Sequence, residues 1–167
     1  MKFKCVVCEL EHDLSDISFG ADAPAQWSLL SHEERAKSEL SSDQCVIETT
    51  EGRHFFIRGC LEIPIKKSAQ AFSWGVWCSL SEKRFLEASK HWEDPERVKL
   101  GPYFGWLSTV IPEYPDTMFL KTMVHQRSVG LRPLVILEES EHLLSLHQHH
   151  GLEAEAMQHI VSRVLHS

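Results

Sequence analysis

Cys5-Val-Val-Cys8, with His12 four residues further on, is the stretch whose residue types and spacing could do specific chemistry. Two thiolates separated by two residues can grip one side of a tetrahedral Zn²⁺, and a nearby imidazole can add a third ligand. A redox dithiol of the same spacing belongs between a strand and a long helix. Here a polar loop follows, so redox chemistry is the weakest reading; a closed, structural zinc site leads, and a pair of cysteines with no special role competes with it. The turn after the second cysteine tends to need left-handed backbone, which glycine adopts freely; Glu9 stands at that position.

A fourth ligand has to come from elsewhere, because no second Cys-x-x-Cys is present. If Glu51-Gly52 forms a two-residue hairpin turn, Thr50 pairs with Arg53, Cys45 lies opposite Arg58, and Cys60 is diagonal to Cys45 on the same face. Cys60 and Cys45 are therefore the candidates, conditional on that register. Core packing competes for both, since a free cysteine behaves as a small hydrophobe. Cys78, between Trp77 and Ser79 in a hydrophobic strand, reads as core.

A second constellation is electrostatic. From Thr117 to Leu137 there is no acidic residue, although the chain carries a formal charge of -7. Alternation along a strand from Thr117 puts Met118, Leu120, Thr122 and Val124 on one side, and Lys121, Met123, His125 and Arg127 on the other. Lys121, His125, Arg127 and Arg132 then form a candidate site for a small anionic ligand, with arginine suited to carboxylate or phosphate. As an enzyme or sensor, the chain would use His125 as general acid/base and the three cations as electrostatic stabilisers. The competing reading is a solvated face paired with Asp116, Glu138 or Glu139. The histidines His142, His147, His149 and His150 match no metal spacing and read as a solvated loop.

Composition bounds the rest. With 167 residues, 43% of them hydrophobic, the chain can build one substantial core, so a single domain over residues 1–167 is expected. It divides into a knuckle segment, 1–22, and an α+β body, 23–167. The five cysteines are an odd number, better explained as thiols or ligands than as a disulfide framework. The acidic balance opposes broad nucleic-acid or anionic-membrane contact. No apolar run approaches the roughly 18 residues of a membrane span, and the start of the chain has no signal-peptide pattern. A small cytoplasmic binding or interaction protein with a structural zinc site is the favoured expectation, the enzyme or sensor being the alternative, with an unknown protein or a small anion as partner.

The elements that must position these residues are legible as patterns. A helix is expected after Ala23-Pro24, and a second short one from Ser31 through about Leu40, whose first-turn acids Glu33 and Glu34 mark an N-terminus. Residues 44–49 and 54–63 form a hairpin, and 72–80 a third strand. A helix runs from Ser81 to about Trp92, and strands at 103–107, 118–126 and 133–137 follow. An amphipathic helix after Gly151 ends the pattern. Strands joined by short turns with inserted helices predict an α+β domain, mainly antiparallel, with covering helices and a short N-terminal Cys-x-x-Cys knuckle. Trp74, Trp77, Tyr103, Phe104 and Trp106 are assigned chiefly to the core.

Several blocks resemble one family of bacterial proteins, catalogued as domain of unknown function 2199. They are Phe19-Gly20-Ala21-Asp22-Ala23-Pro24, the run from Phe55 to Pro64, Gly75-Val76-Trp77-Cys78-Ser79-Leu80-Ser81, and Pro102-Tyr103-Phe104-Gly105-Trp106-Leu107. Tyr114-Pro115-Asp116-Thr117, Leu120-Lys121-Thr122 and Val124-His125 belong to the same set. The resemblance implies a small metal knuckle at Cys5, Cys8 and His12 and specifies no activity.

Overall fold

The structure is a computed structural model describing residues 1–167. Its first element is a small hairpin. β1 (Lys2–Lys4) pairs antiparallel with β2 (Glu11–Asp13), with Phe3 opposite His12. β3 (Phe19–Gly20) follows, then a 3-10 turn at Ala25–Leu29 and the short helix α1 (His32–Lys37). α1 starts at Ser31 in a capping box: the Ser31 hydroxyl accepts from Glu34 N–H, and the Glu34 carboxylate accepts from Ser31 N–H. β4 (Glu39–Leu40), β5 (Gln44–Thr49), β6 (Gly52–Pro64) and β7 (Ala71–Leu80) form a meander. After α2 (Glu82–Lys90) come β8 (Tyr103–Leu107), β9 (Lys121–His125) and β10 (Leu134–Leu137). Two helices, α3 (Leu143–His150) and α4 (Ala154–Leu165), complete the chain.

β6, β7, β8, β9 and β10 close into a five-stranded barrel, β10 returning to β6. Alternation of direction cannot be kept around an odd number of strands, so one neighbouring pair has to be parallel. That pair is β10 with β6, and it is short, its register recorded at Leu134 opposite Cys60. The expected mainly antiparallel sheet is therefore mixed, with a second parallel pairing between β3 and β7. Parallel strands need long crossovers, and this seam joins the first and last strands of the barrel, so no local signal announces it.

Two side-chain devices make up for the short seam. Gly59 lets β10 approach, because a Cβ there would fall 2.7 Å from Val135 Cγ2 and 2.8 Å from the Pro133 carbonyl oxygen. Gln148 of α3, itself buried, then bridges both strands. Its Oε1 accepts from Leu137 N–H at 2.7 Å, and its Nε2 donates to the Val135 carbonyl at 2.8 Å and to the Glu62 carbonyl at 3.4 Å.

Strand alternation divides the buried side chains into two cores. Ile57, Leu61, Ile63, Trp74, Val76 and Cys78 belong to the main cluster, which Met157 and Val161 of α4 join together with Phe3 and Cys5. The opposite side carries Cys45, Ile47, Phe56 and Trp77, against which Trp27 and Leu30 pack.

Four local expectations change. The helix after Ala23-Pro24 is a 3-10 turn, and α1 stops at Lys37 because residues 39–40 pair with β5. The histidine-rich segment is the helix α3, with His142 as its N-cap. Its buried positions are Leu144, Ser145 and Gln148, a stripe too polar for hydropathy to reveal. Phe104 and Trp106 lie outside the core, 47% and 40% exposed.

Gly59→Ala is expected to cost about 1–3 kcal/mol of stability through overpacking at the seam. Gln148→Leu is expected to cost a similar amount, about 1–3 kcal/mol, by stranding backbone groups of β6 and β10. Chemical denaturation midpoints check both, with Lys37→Ala, an exposed position outside the seam, serving as the scale of a neutral substitution.

Candidate metal centre

The turn between β1 and β2 wraps the Cys5 sulfur. The Val7 and Cys8 backbone N–H groups lie 3.4 and 3.5 Å from Cys5 Sγ, and Cys5 N–H donates to the Leu10 carbonyl at 2.8 Å. Glu9 takes the left-handed backbone that the turn requires, with φ 60°. The strand pairing brings His12 back alongside the turn, so that its Nε2 lies 3.3 Å from Cys8 Sγ. Its ring stacks on Phe3 at 5.8 Å between centroids.

The fourth donor comes from the other end of the chain. α4 packs Met157, Val161 and Ser162 inward, and Ser162 Oγ accepts the Val6 N–H at 3.1 Å. The Gln158 amide also donates to the Lys4 carbonyl. His166 is the C-cap of this helix, and its Nε2 lies 3.3 Å from Cys5 Sγ. One donor atom from each of Cys5, Cys8, His12 and His166 lies within 4.8 Å of every other.

These dimensions suit a tetrahedral ion. Bond lengths of about 2.3 Å to sulfur and about 2.0 Å to nitrogen give a sulfur-to-nitrogen edge of about 3.5 Å, against 3.3 Å for the two pairs here. Two thiolates with two imidazoles are a donor set that a borderline-soft cation such as zinc prefers. The C-terminal end of α4, with its partial negative charge, lies beside the site and favours a cation. Burial alone would push the Cys5 thiol up. Hydrogen bonding from Ser162, from the Cys8 and Val7 backbone and from the Cys8 side chain outweighs it and brings the group down to about 6. Cys45 and Cys78 behave oppositely, burial pushing each up to about 12.

Cys60 is not part of this cluster. The hairpin turn falls at Thr50-Glu51, one residue earlier than expected, and places Cys45 opposite Phe56. Cys45 and Cys60 still share a face, but four residues of strand, about 13 Å, separate Cys60 from Cys45's partner. Cys60 instead lines a cleft with Asp43, Arg97, Arg127 and Arg132, while Cys5 is in the main core. His166 was hidden from the sequence reading because the contact spans 161 residues. The signal available was its place four residues after the buried Ser162, although His166 itself is exposed.

The basic residues do not converge. Lys121 lies 3.7 Å from Glu138, Arg127 3.2 Å from Glu62, and Arg132 2.7 Å from Asp43. Arg127 and Arg132 share the cleft that holds Cys60, whereas Lys121 lines a different one. His125 sits within β9 opposite Leu134. Strand spacing explains the separation, since Lys121 and His125 are about 13 Å apart along one strand. The buried Arg97 was missed: its guanidinium donates to the carbonyls of Trp92, Arg127, Ser128 and Leu131 at 2.6–3.0 Å and holds the turn before β10.

Fold and site together define an α+β barrel protein with a Cys2His2 cluster able to hold a metal ion. The chain belongs to the family described as uncharacterized protein conserved in bacteria (DUF2199), whose model matches residues 4–152. Cys5, Cys8 and His12 fall inside that match, and His166 lies beyond it. No curated protein and no solved structure matches the chain. No helix is long and apolar enough to cross a membrane.

The lowered Cys5 group predicts a titration in metal-free protein. Thiolate absorbance near 240 nm should show a step close to pH 6, absent in Cys5→Ser. The sign follows from linkage: between about pH 6 and 9 the unfolded chain holds a proton that the folded chain lacks, so this group's contribution to stability rises with pH there and is lost as pH falls through 6. Denaturation midpoints of wild type and Cys5→Ser across that range check it.

Proposed function

We propose that Cys5, Cys8, His12 and His166 hold one structural Zn²⁺, and that the protein is a metal-clamped binding module. The observation that carries this reading is the convergence of four donor atoms within 4.8 Å from a hairpin and a helix at opposite ends of the sequence. Four protein ligands fill a tetrahedral shell and leave no position for a substrate or an activated water. The ion would therefore contribute folding free energy and fix the knuckle against α4.

An enzyme working on a small anion through Lys121, His125, Arg127 and Arg132 has less support. Each of the three cations faces a carboxylate within 4.0 Å, and general acid/base work needs groups gathered around one reacting atom.

Protein purified without chelators is expected to carry about one zinc per chain by elemental analysis. Cys8→Ser should lose it, and His166→Ala should retain it with an affinity weaker by on the order of a hundredfold. Chelation should lower the melting temperature and release α4, seen as faster amide exchange in residues 154–165. Metal-free protein whose melting temperature ignores both chelator and added zinc would end the proposal.

A further inference from the structure

The segment of 3-10 turn and α1 covers only part of the outer face of β5–β8. The remainder is a cleft of about 750 Å³, floored by Phe56 and Leu80 and walled by Leu30, Trp106 and Phe119. Three features set it apart from ordinary surface. Leu29, Phe119 and Trp106 at its rim are 82%, 60% and 40% exposed, an accumulation of large apolar side chains at one place. Phe119 has φ 63°, a genuine outlier for a bulky residue, and its N–H is held by the Leu107 carbonyl at 2.8 Å. Such strained backbone concentrates where a side chain must be presented to a ligand. Gln26, which also lines the cleft, has a buried Oε1 with no hydrogen-bond partner, while its Nε2 reaches Ser108 Oγ at 3.4 Å.

The chemistry of the occupant follows from these groups. The volume lies within the range of small-molecule sites. Trp106 and Phe119 offer aromatic surface. The charged side chains of the lining are Glu34, Glu51 and Glu82 against Arg53, with His54 beside them, so the field disfavours an anion. We propose that this cleft binds a planar aromatic molecule that bears no negative charge. The ring lies against Trp106 and Phe119, and a positively charged ligand gains from the indole face and from the glutamates of the lining. The site is separate from the Cys2His2 cluster and shares no residue with it.

The test uses the full chain with zinc supplied, and tryptamine, indole and indole-3-acetate as probes. Protein labelled at the tryptophan indole nitrogens gives a Trp106 signal, assigned by its loss in Trp106→Phe. Tryptamine is expected to shift that signal and to bind at least about tenfold more tightly than indole-3-acetate. Phe119→Ala and Trp106→Ala should each weaken tryptamine binding about tenfold. Both aromatic residues are exposed, so their removal leaves the core intact, and unchanged melting temperatures establish that. Failure of all three probes to move the Trp106 signal at millimolar concentration overturns the proposal. So does equal affinity for indole-3-acetate, or tryptamine binding that survives Trp106→Ala. Concentration-dependent dimerisation abolished by Trp106→Ala would assign the cleft to a second copy of the chain and overturn it too.

Discussion

The parallel contact between β10 and β6 is the constraint on which the architecture depends. A meander of five strands can close only if its first and last members run the same way, and here they meet over a very short register. Backbone pairing alone cannot hold such a seam, so the closure is shared with a glycine and an amide side chain. Gly59 removes the steric obstacle, and Gln148 supplies the hydrogen bonds that the diverging strands do not give each other. This places α3 against the barrel, and the chain leaves it at Gly151 with φ 84°, a conformation suited to glycine. The bridge between Ile65 and Leu152 then leads into α4. The position of the C-terminal helix is thus a consequence of how the barrel closes.

The two faces of the meander are used differently. The inner face is filled by aliphatic and aromatic side chains to the point that Ile57, Leu61, Ile63 and Val76 have no exposed surface. The outer face is only partly covered, because the 3-10 turn and α1 are short. Trp77 anchors that cover, its Nε1 donating to the Ala21 carbonyl at 2.9 Å. Where the cover ends, Trp106 is left without a layer above it.

Much of this was legible in the chain. Alternation located β5, β6 and β7, the Ser81 cap located α2, and the helical stripe after Gly151 located α4, because each signal is local and repeats along the element. Closure was not legible, since it depends on residues far apart in sequence and on a seam with almost no pattern. The same holds for the site. Cys5, Cys8 and His12 share one hairpin, whereas His166 reaches them only after the whole barrel has folded. The thiol at Cys60 illustrates the opposite error: a correct face assignment says nothing of distance along the strand. The acid-free stretch from Thr117 to Leu137 was real, but its cations meet carboxylates from β6, from the residue after β10 and from the loop before β5.

The contact between residue 5 and residue 166 has a further consequence. A metal shared by these positions acts as a cross-link enclosing 161 residues, and closing a loop of that size in the denatured chain carries an entropy cost of about 5 kcal/mol in a simple chain model. The knuckle is also synthesised well before His166, which follows it by the whole barrel. During translation the hairpin can offer an ion only three donors, and the shell fills when the final turn of α4 emerges and docks. The coordination number of a bound ion would therefore record whether the barrel and α4 have been made and folded.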